Sequence, residues 1–182
     1  MNFLAISGST RRQSTNTALL EVMAAKAPAG MDIRVFPFLQ QLPVFSQDLE
    51  GEKTPEPVRS FIAEVEAADG LIISSPEYVH AIPGGLKNAI DWLVSGEAVI
   101  DRPIVLTHAS SRGEDMLASL RLVLRTVSAN FNEEIFRRFP LLAKTPAEIR
   151  SFLEDPEMSD QIRRFLGEFE NFVRRCRQGS SA

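Results

Sequence analysis

Four runs of apolar residues in this 182-residue chain end in small polar ones: FLAIS at 3–7, IRVF at 33–36, GLIISS at 70–75 and PIVLTHAS at 103–110. They are rich in Ile, Val and Leu and show no in/out alternation, the pattern of strands covered on both faces. Between them lie helical periodicities at 15–27, 55–67, 84–95 and 114–128, with a last one at 158–177. This alternation predicts right-handed βαβ units, and so an α/β fold with a doubly wound parallel sheet and helices on both faces. A fifth strand has only a short candidate around Ile135, inside NEEIFRRFPLL at 132–142. Segment 37–54 carries two prolines and few periodic positions, and reads as a long surface loop.

The length suits one domain, expected over 1–178 with a disordered tail at 179–182. A net charge of −4 argues against a general nucleic-acid binder, which carries a basic face. The single cysteine, Cys176, excludes an internal disulfide and fits a reducing compartment. No run of about 18 apolar residues and no secretory leader is visible, so a soluble, cytoplasmic protein without membrane insertion is expected. The segment at 163–177 places Phe165, Leu166, Phe169, Phe172 and Val173 at helical spacing, as in a packing helix with a solvated basic face.

In open parallel sheets, ligands bind beyond the carboxyl ends of the strands. The stretch after the first strand, SGSTRRQSTNT, is built for an anion. Gly8 permits a tight turn, and Ser14 is a suitable N-cap for a helix from about Thr15. The helix start offers the backbone N–H groups of Thr15, Asn16 and Thr17. Hydroxyls of Ser9 and Ser14, the Asn16 amide and the guanidinium of Arg11 or Arg12 add side-chain donors suited to a terminal phosphate. The competing account of these residues is a capped helix with a solvated arginine pair. There is no G-x-x-x-x-G-K-[ST], no G-x-G-x-x-G and no cysteine in the loop, so a triphosphate cradle, a dinucleotide fingerprint and a cysteine phosphatase are all excluded there.

The second stretch, SSPEYVHAIPGGLKNAIDWL at 74–93, follows the third strand. It presents Pro76, the flat ring of Tyr78 and a helix opened by Pro83. A planar heterocycle with a phosphate tail, such as FMN, fits the two loops together.

The two stretches resemble the NAD(P)H-dependent FMN reductase family, flavodoxin-like proteins that include quinone, azo-dye and chromate reductases. Its pattern G-S-x-R-x-x-S-x-N is matched by Gly8, Ser9, Arg11, Ser14 and Asn16. Its pattern P-E-Y-N-x-S-x-P-G-x-L-K-N-A-I-D-W is matched by Pro76, Glu77, Tyr78 and Pro83, Gly84, then from Leu86 to Trp92. The likeness runs from about Phe3 to Ser128. It implies a five-stranded sheet of order 2-1-3-4-5 and bound FMN reduced by NADPH or NADH. It also implies a quinone, flavin or similar small acceptor, and a homodimer or homotetramer using the helix from Gly84 to Leu93.

The implied cofactor contacts are Ser9, Arg11, Ser14, Thr15, Asn16 and Thr17 for the phosphate. For the ring they are Pro76, Glu77, Tyr78, Val79 and His80, with Ser110, Ser111 and Gly113 of the fourth loop. Glu77 is expected to contact flavin through its backbone while its side chain supports the loop. Lys87 and Asn88 are expected between subunits, Trp92 in the core or at the dimer contact, and His108 as a strand-end residue bonded to nearby backbone. No side chain is assigned as catalytic and no metal is implied. Two positions depart from the family pattern: Val79 stands at its asparagine and Ala81 at its serine, and the fourth loop, HASSRGEDM, keeps only Gly113. The alternatives are an electron carrier or flavin-binding interaction protein without its own NAD(P)H turnover, and a flavin-free adaptor.

Overall fold

The computed structural model describes residues 1–11 and 13–179; Arg12 and residues 180–182 lie outside the described residues, and Gly179, expected to begin a disordered tail, instead ends a helix. Five strands, β1 (Asn2–Ser7), β2 (Asp32–Phe36), β3 (Gly70–Ser74), β4 (Ile104–His108) and β5 (Phe131–Arg138), form one sheet of order β2-β1-β3-β4-β5. Every pairing is parallel. The helices are α1 (Thr15–Ala25), α2 (Glu56–Ala67), α3 (Gly84–Val94), α4 (Glu114–Val127), α5 (Pro146–Glu154) and α6 (Pro156–Gly179).

The unalternating strands are those buried on both faces: β3 and β4 are buried throughout, and so is β1 after Asn2. Successive side chains point to opposite faces. Phe3, Ala5, Ile72 and Val105 therefore meet α1, α5 and α6, while Leu4, Ile6, Ile73 and Leu106 meet α2, α3 and α4. Phe3 and Phe169 of α6 stack with ring centroids 4.7 Å apart. α6 comes so near the sheet there that a Cβ on Gly70 would lie 2.7 Å from the Phe169 ring.

Two elements differ from expectation. β5 extends well beyond Ile135, and its register against β4 shifts between Ile104 and Leu106, where Asn132 Oδ1 accepts the N–H groups of Glu134 and Ile135. An irregular, half-exposed edge strand has weak periodicity. α5 was not expected at all, yet Thr145-Pro146-Ala147-Glu148 opens it with a full capping box and a proline at the first turn.

The long segment 37–54 holds three single-turn 3₁₀ pieces and is fastened to α3. Asn88 Oδ1 accepts the Phe45 N–H at 2.8 Å, its Nδ2 donates to the Pro43 carbonyl at 2.9 Å, and Trp92 Nε1 donates to that same carbonyl at 2.8 Å. Asn88, expected between subunits, thus makes these hydrogen bonds within the chain. Lys87 pairs with Asp91 one turn along the same helix. Leu86, Ile90, Trp92 and Leu93, the apolar residues that suggested a dimer face on α3, are all buried in the chain's own core.

Candidate functional site

In a 2-1-3-4-5 sheet the strand order reverses between β1 and β3, and the crevice opens above their carboxyl ends. The chain is most tightly drawn together there. The Gly8 N–H donates to the Ser74 carbonyl at 2.8 Å. A Cβ on Gly8 would lie 2.4 Å from Ser75 Oγ, so only glycine lets the loops after β1 and β3 touch.

Most polar groups of the first loop hold the loop itself. Ser14 caps α1, its Oγ accepting the Thr17 N–H at 3.3 Å. The Thr17 hydroxyl donates to Ser7 Oγ at 2.8 Å, so both Thr17 donors are engaged inside the protein. Ser9 Oγ accepts the Arg11 N–H at 3.3 Å. Buried Asn16 accepts the Ser74 hydroxyl on its Oδ1 at 2.8 Å, tying α1 to the end of β3. The groups still offered outward are the start of α1 at Thr15 and Asn16, the hydroxyl hydrogens of Ser9 and Ser14, and the Arg11 guanidinium, which has no partner among the described residues. That donor set fits a phosphate. Arg12, the alternative cation, lies outside the described residues.

The loop after β3 makes a two-residue turn. Tyr78 and Ala81 exchange both backbone hydrogen bonds, at 3.2 and 3.0 Å, around Val79 (φ 51°) and His80 (φ 57°). Positive φ at both central positions is the type I′ geometry, which favours Asn or Gly. Val79 is β-branched, so the turn stores strain, and its side chain is 94% exposed. The turn is clasped to α4. Glu77 Oε2 accepts the Met116 N–H at 3.0 Å, which caps a helix whose own N-cap, Gly113, has no side chain to do so. His80 Nδ1 meets Asp115 Oδ2 at 2.6 Å. The ligating atoms of Glu77, His80 and Asp115 lie within 4.8 Å of one another, and these two contacts make the trio a fastening between loop and helix.

His108, at the end of β4, is buried and bonds to nearby backbone as expected: its Nε2 meets the Arg112 carbonyl at 2.5 Å. That acceptor assigns the proton to Nε2 and leaves buried Nδ1 without a partner among the described residues. Burial lowers the His108 pKa, outweighing the carbonyl contacts that favour the cation. Arg138 pairs with Glu114 at 2.6 Å and holds its carboxyl below the usual range.

Two open clefts of about 230 Å³ each flank the first loop. Ser9, Arg11 and Thr17 line one, against Phe36 at the end of β2 and Pro37 after it. Thr15, Asn16, Pro76, Glu77, Ser110 and Gly113 line the other, where His108 forms part of the wall. Ser14 sits as the cap between them, Tyr78, Val79 and His80 form the turn beside the second cleft, and Ser111 is exposed. The first loop thus directs Arg11 to one side and Thr15 and Asn16 to the other. Sequence reasoning did not single out Arg112, which lines the second cleft, or the Asp115 clasp. Neither carries a motif.

A doubly wound parallel sheet of this order, with helices on both faces and a capped helix start beside its switch point, is the flavodoxin-like fold. The chain belongs to the NADPH-dependent FMN reductase family, which it matches over residues 1–136. It is 34% identical to a quinone reductase of Escherichia coli (strain K12) over 118 residues, which span 62% of this chain and 61% of that relative. It is 33% identical to a probable NADPH:quinone oxidoreductase 2 of Oryza sativa subsp. japonica over 98% of this chain and 91% of that one. The flavoenzyme NAD(P)H:(acceptor) oxidoreductase FerB from Paracoccus denitrificans shares the fold, with a TM-score of 0.68 at 20% identity over 97% of each chain.

Replacing Val79 with Asn should relieve the positive-φ strain by about 1 kcal/mol. Thermal unfolding should then shift upward by roughly 2–4 °C; an unchanged or lower midpoint would show the turn to be unstrained. For His108 the lowered pKa means that below the ordinary value of 6.5 the unfolded chain takes up a proton that the folded chain refuses. Stability should therefore fall as pH drops below 6.5, by at most about 1.4 kcal/mol per pH unit. Urea titrations between pH 7.5 and 5.5 should show a shallower slope in His108→Gln than in the parent.

Proposed function

We propose that the protein is an FMN-dependent oxidoreductase that takes electrons from NADPH or NADH and passes them to a quinone, flavin or similar small acceptor. The observation that carries this is the donor set at the start of α1, left open at the one place where the strand order reverses. Family membership and the quinone reductase relatives support it.

In this scheme Thr15, Asn16, Ser9, Ser14 and Arg11 hold the cofactor phosphate. The loop from Pro76 to His80, with Ser110, Ser111 and Gly113 of the fourth loop, flanks the ring. The cofactor supplies hydride acceptance when bound, and the chain supplies binding, orientation and electrostatics. Glu77 is engaged as the cap of α4, which suits a supporting carboxylate better than a proton donor. No side chain is needed as an acid or base. Backbone N–H groups of the two loops would stabilise the negative charge that develops on reduction of the bound cofactor. Gly113, with its positive φ of 104° and a Cβ position only 2.8 Å from His108 Nε2, keeps one of these loops close-packed. The chain is proposed to act as one domain, residues 1–178, in the cytoplasm; no helix among the described residues is long and apolar enough to cross a membrane.

Assembly as a homodimer or homotetramer is part of the same proposal, on a changed footing. The apolar positions of α3 face inward, whereas Leu122 on α4 and Val94 at the end of α3 are more than half exposed. Burial of both against a second copy removes apolar surface from water.

Purified protein should show the flavin absorption bands, with or without added FMN, and should oxidise NAD(P)H in steady state with a quinone. Bound flavin without turnover would leave an electron carrier, and no flavin at all an adaptor. Arg11→Ala should weaken FMN binding by roughly 1.5–3 kcal/mol, the worth of one charged hydrogen bond. Unchanged affinity would move the phosphate contact to other donors. Light scattering at micromolar concentration should return two or four subunits, and the mass of a single 20.2 kDa chain would overturn the assembly.

A further inference from the structure

The connection between β4 and α4 is held at more points than so short a loop needs. His108 Nε2 donates to the Arg112 carbonyl at 2.5 Å, and the Arg112 N–H donates to Ser110 Oγ at 3.0 Å. Arg138 donates to the Ser111 carbonyl at 3.1 Å, and Gly113 turns the chain through a φ of 104° into α4. The backbone of Arg112 is thus gripped on both sides.

Its guanidinium, by contrast, has no hydrogen bond, ion pair or ring contact among the described residues. The neighbouring cations do. Arg137 pairs with Glu168, Arg138 with Glu114, and Arg121 lies over the Phe136 ring at 4.9 Å. The carboxylates around the loop are also committed: Glu77 to the Met116 N–H, Glu114 to Arg138, Asp115 to His80. A fixed backbone therefore presents an exposed, uncompensated guanidinium to the cleft that Thr15, Asn16, Pro76 and Glu77 line from the other side. Arg11, which also has no side-chain partner among the described residues, lines the opposite cleft. Two separated cations match two separate anionic groups.

We propose that Arg112 is the docking point for a phosphate of the nicotinamide dinucleotide, a second anion subsite across the cleft from the start of α1. This rests on the flavin reductase function proposed above. The reductant must enter the same cleft from solvent, and the phosphates are its charged part. A guanidinium grips phosphate through two parallel hydrogen bonds, and a pre-positioned backbone lowers the entropy lost in doing so. The phosphate is either the pyrophosphate, present in NADH and NADPH alike, or the 2′-phosphate carried by NADPH alone.

The test uses FMN-loaded protein, with NADP⁺ and NAD⁺ titrated calorimetrically into the parent and into Arg112→Gln. Because the Arg112 side chain is exposed and has no bonding partner among the described residues, the variant should fold as the parent does. The Kd for NADP⁺ should rise about 10- to 100-fold, as for one or two lost charge-assisted hydrogen bonds, and the steady-state KM for NADPH should rise with it. FMN affinity should stay within about twofold of the parent, while Arg112→Lys should recover part of the loss. An equal loss for NAD⁺ assigns the pyrophosphate, and a loss confined to NADP⁺ assigns the 2′-phosphate. Unchanged Kd and KM for both nucleotides, or an FMN affinity that falls as far as theirs, would overturn the proposal. Failure of the parent itself to bind FMN would instead overturn the function on which it rests.

Discussion

The contact between Gly8 and the end of β3 sets everything above the sheet. One backbone hydrogen bond, from Gly8 to the Ser74 carbonyl, joins the two strands whose order reverses, and Asn16 repeats the tie from α1 through the Ser74 hydroxyl. The first loop and the loop from Pro76 to Ala81 both start from this junction. Their separation, and so the cleft that Thr15, Asn16, Pro76 and Glu77 line, follows from how closely the glycine lets them approach. A side chain at residue 8 would meet Ser75 and Leu86 and push the loops apart.

From that junction outward, polar groups secure loops before they serve any ligand. Ser7, Ser14 and Thr17 form a closed set around the start of α1. Glu77 and His80 pin the second loop to α4, and His108 pins the fourth loop from below. Such fastening preorganises a site, because ordering it on binding would cost affinity. The guanidinium groups of Arg11 and Arg112 have no partners among the described residues and line the two different clefts.

Strain concentrates at the same end of the sheet. The turn at Val79 and His80 keeps the geometry that the family pattern fills with asparagine, although valine is poorly suited to it. The reciprocal bonds of Tyr78 and Ala81, with the Asp115 clasp on His80, hold that shape against the residue's own preference. Backbone here, and not side-chain chemistry, defines what faces the second cleft.

The three buried strands, edge strand β2, the capped start of α1 and the two family stretches were legible in the sequence. Burial on both faces removes alternation from a strand, and a cap is a local matter of one hydroxyl and one N–H. The box Thr145-Pro146-Ala147-Glu148 was equally local and went unread, while β5 was blurred by its register shift against β4. Tertiary structure alone decided the rest. Leu86, Ile90, Trp92 and Leu93 share a periodicity that suits a core and an interface equally, and only packing shows them facing inward, with Asn88 and Trp92 holding Pro43. Likewise a row of hydroxyls and arginines shows that donors are present. Which of them are already bonded depends on partners far away in the chain, as Asn16 to Ser74 and Glu77 to Met116 demonstrate, and that is fixed only when the strands are side by side.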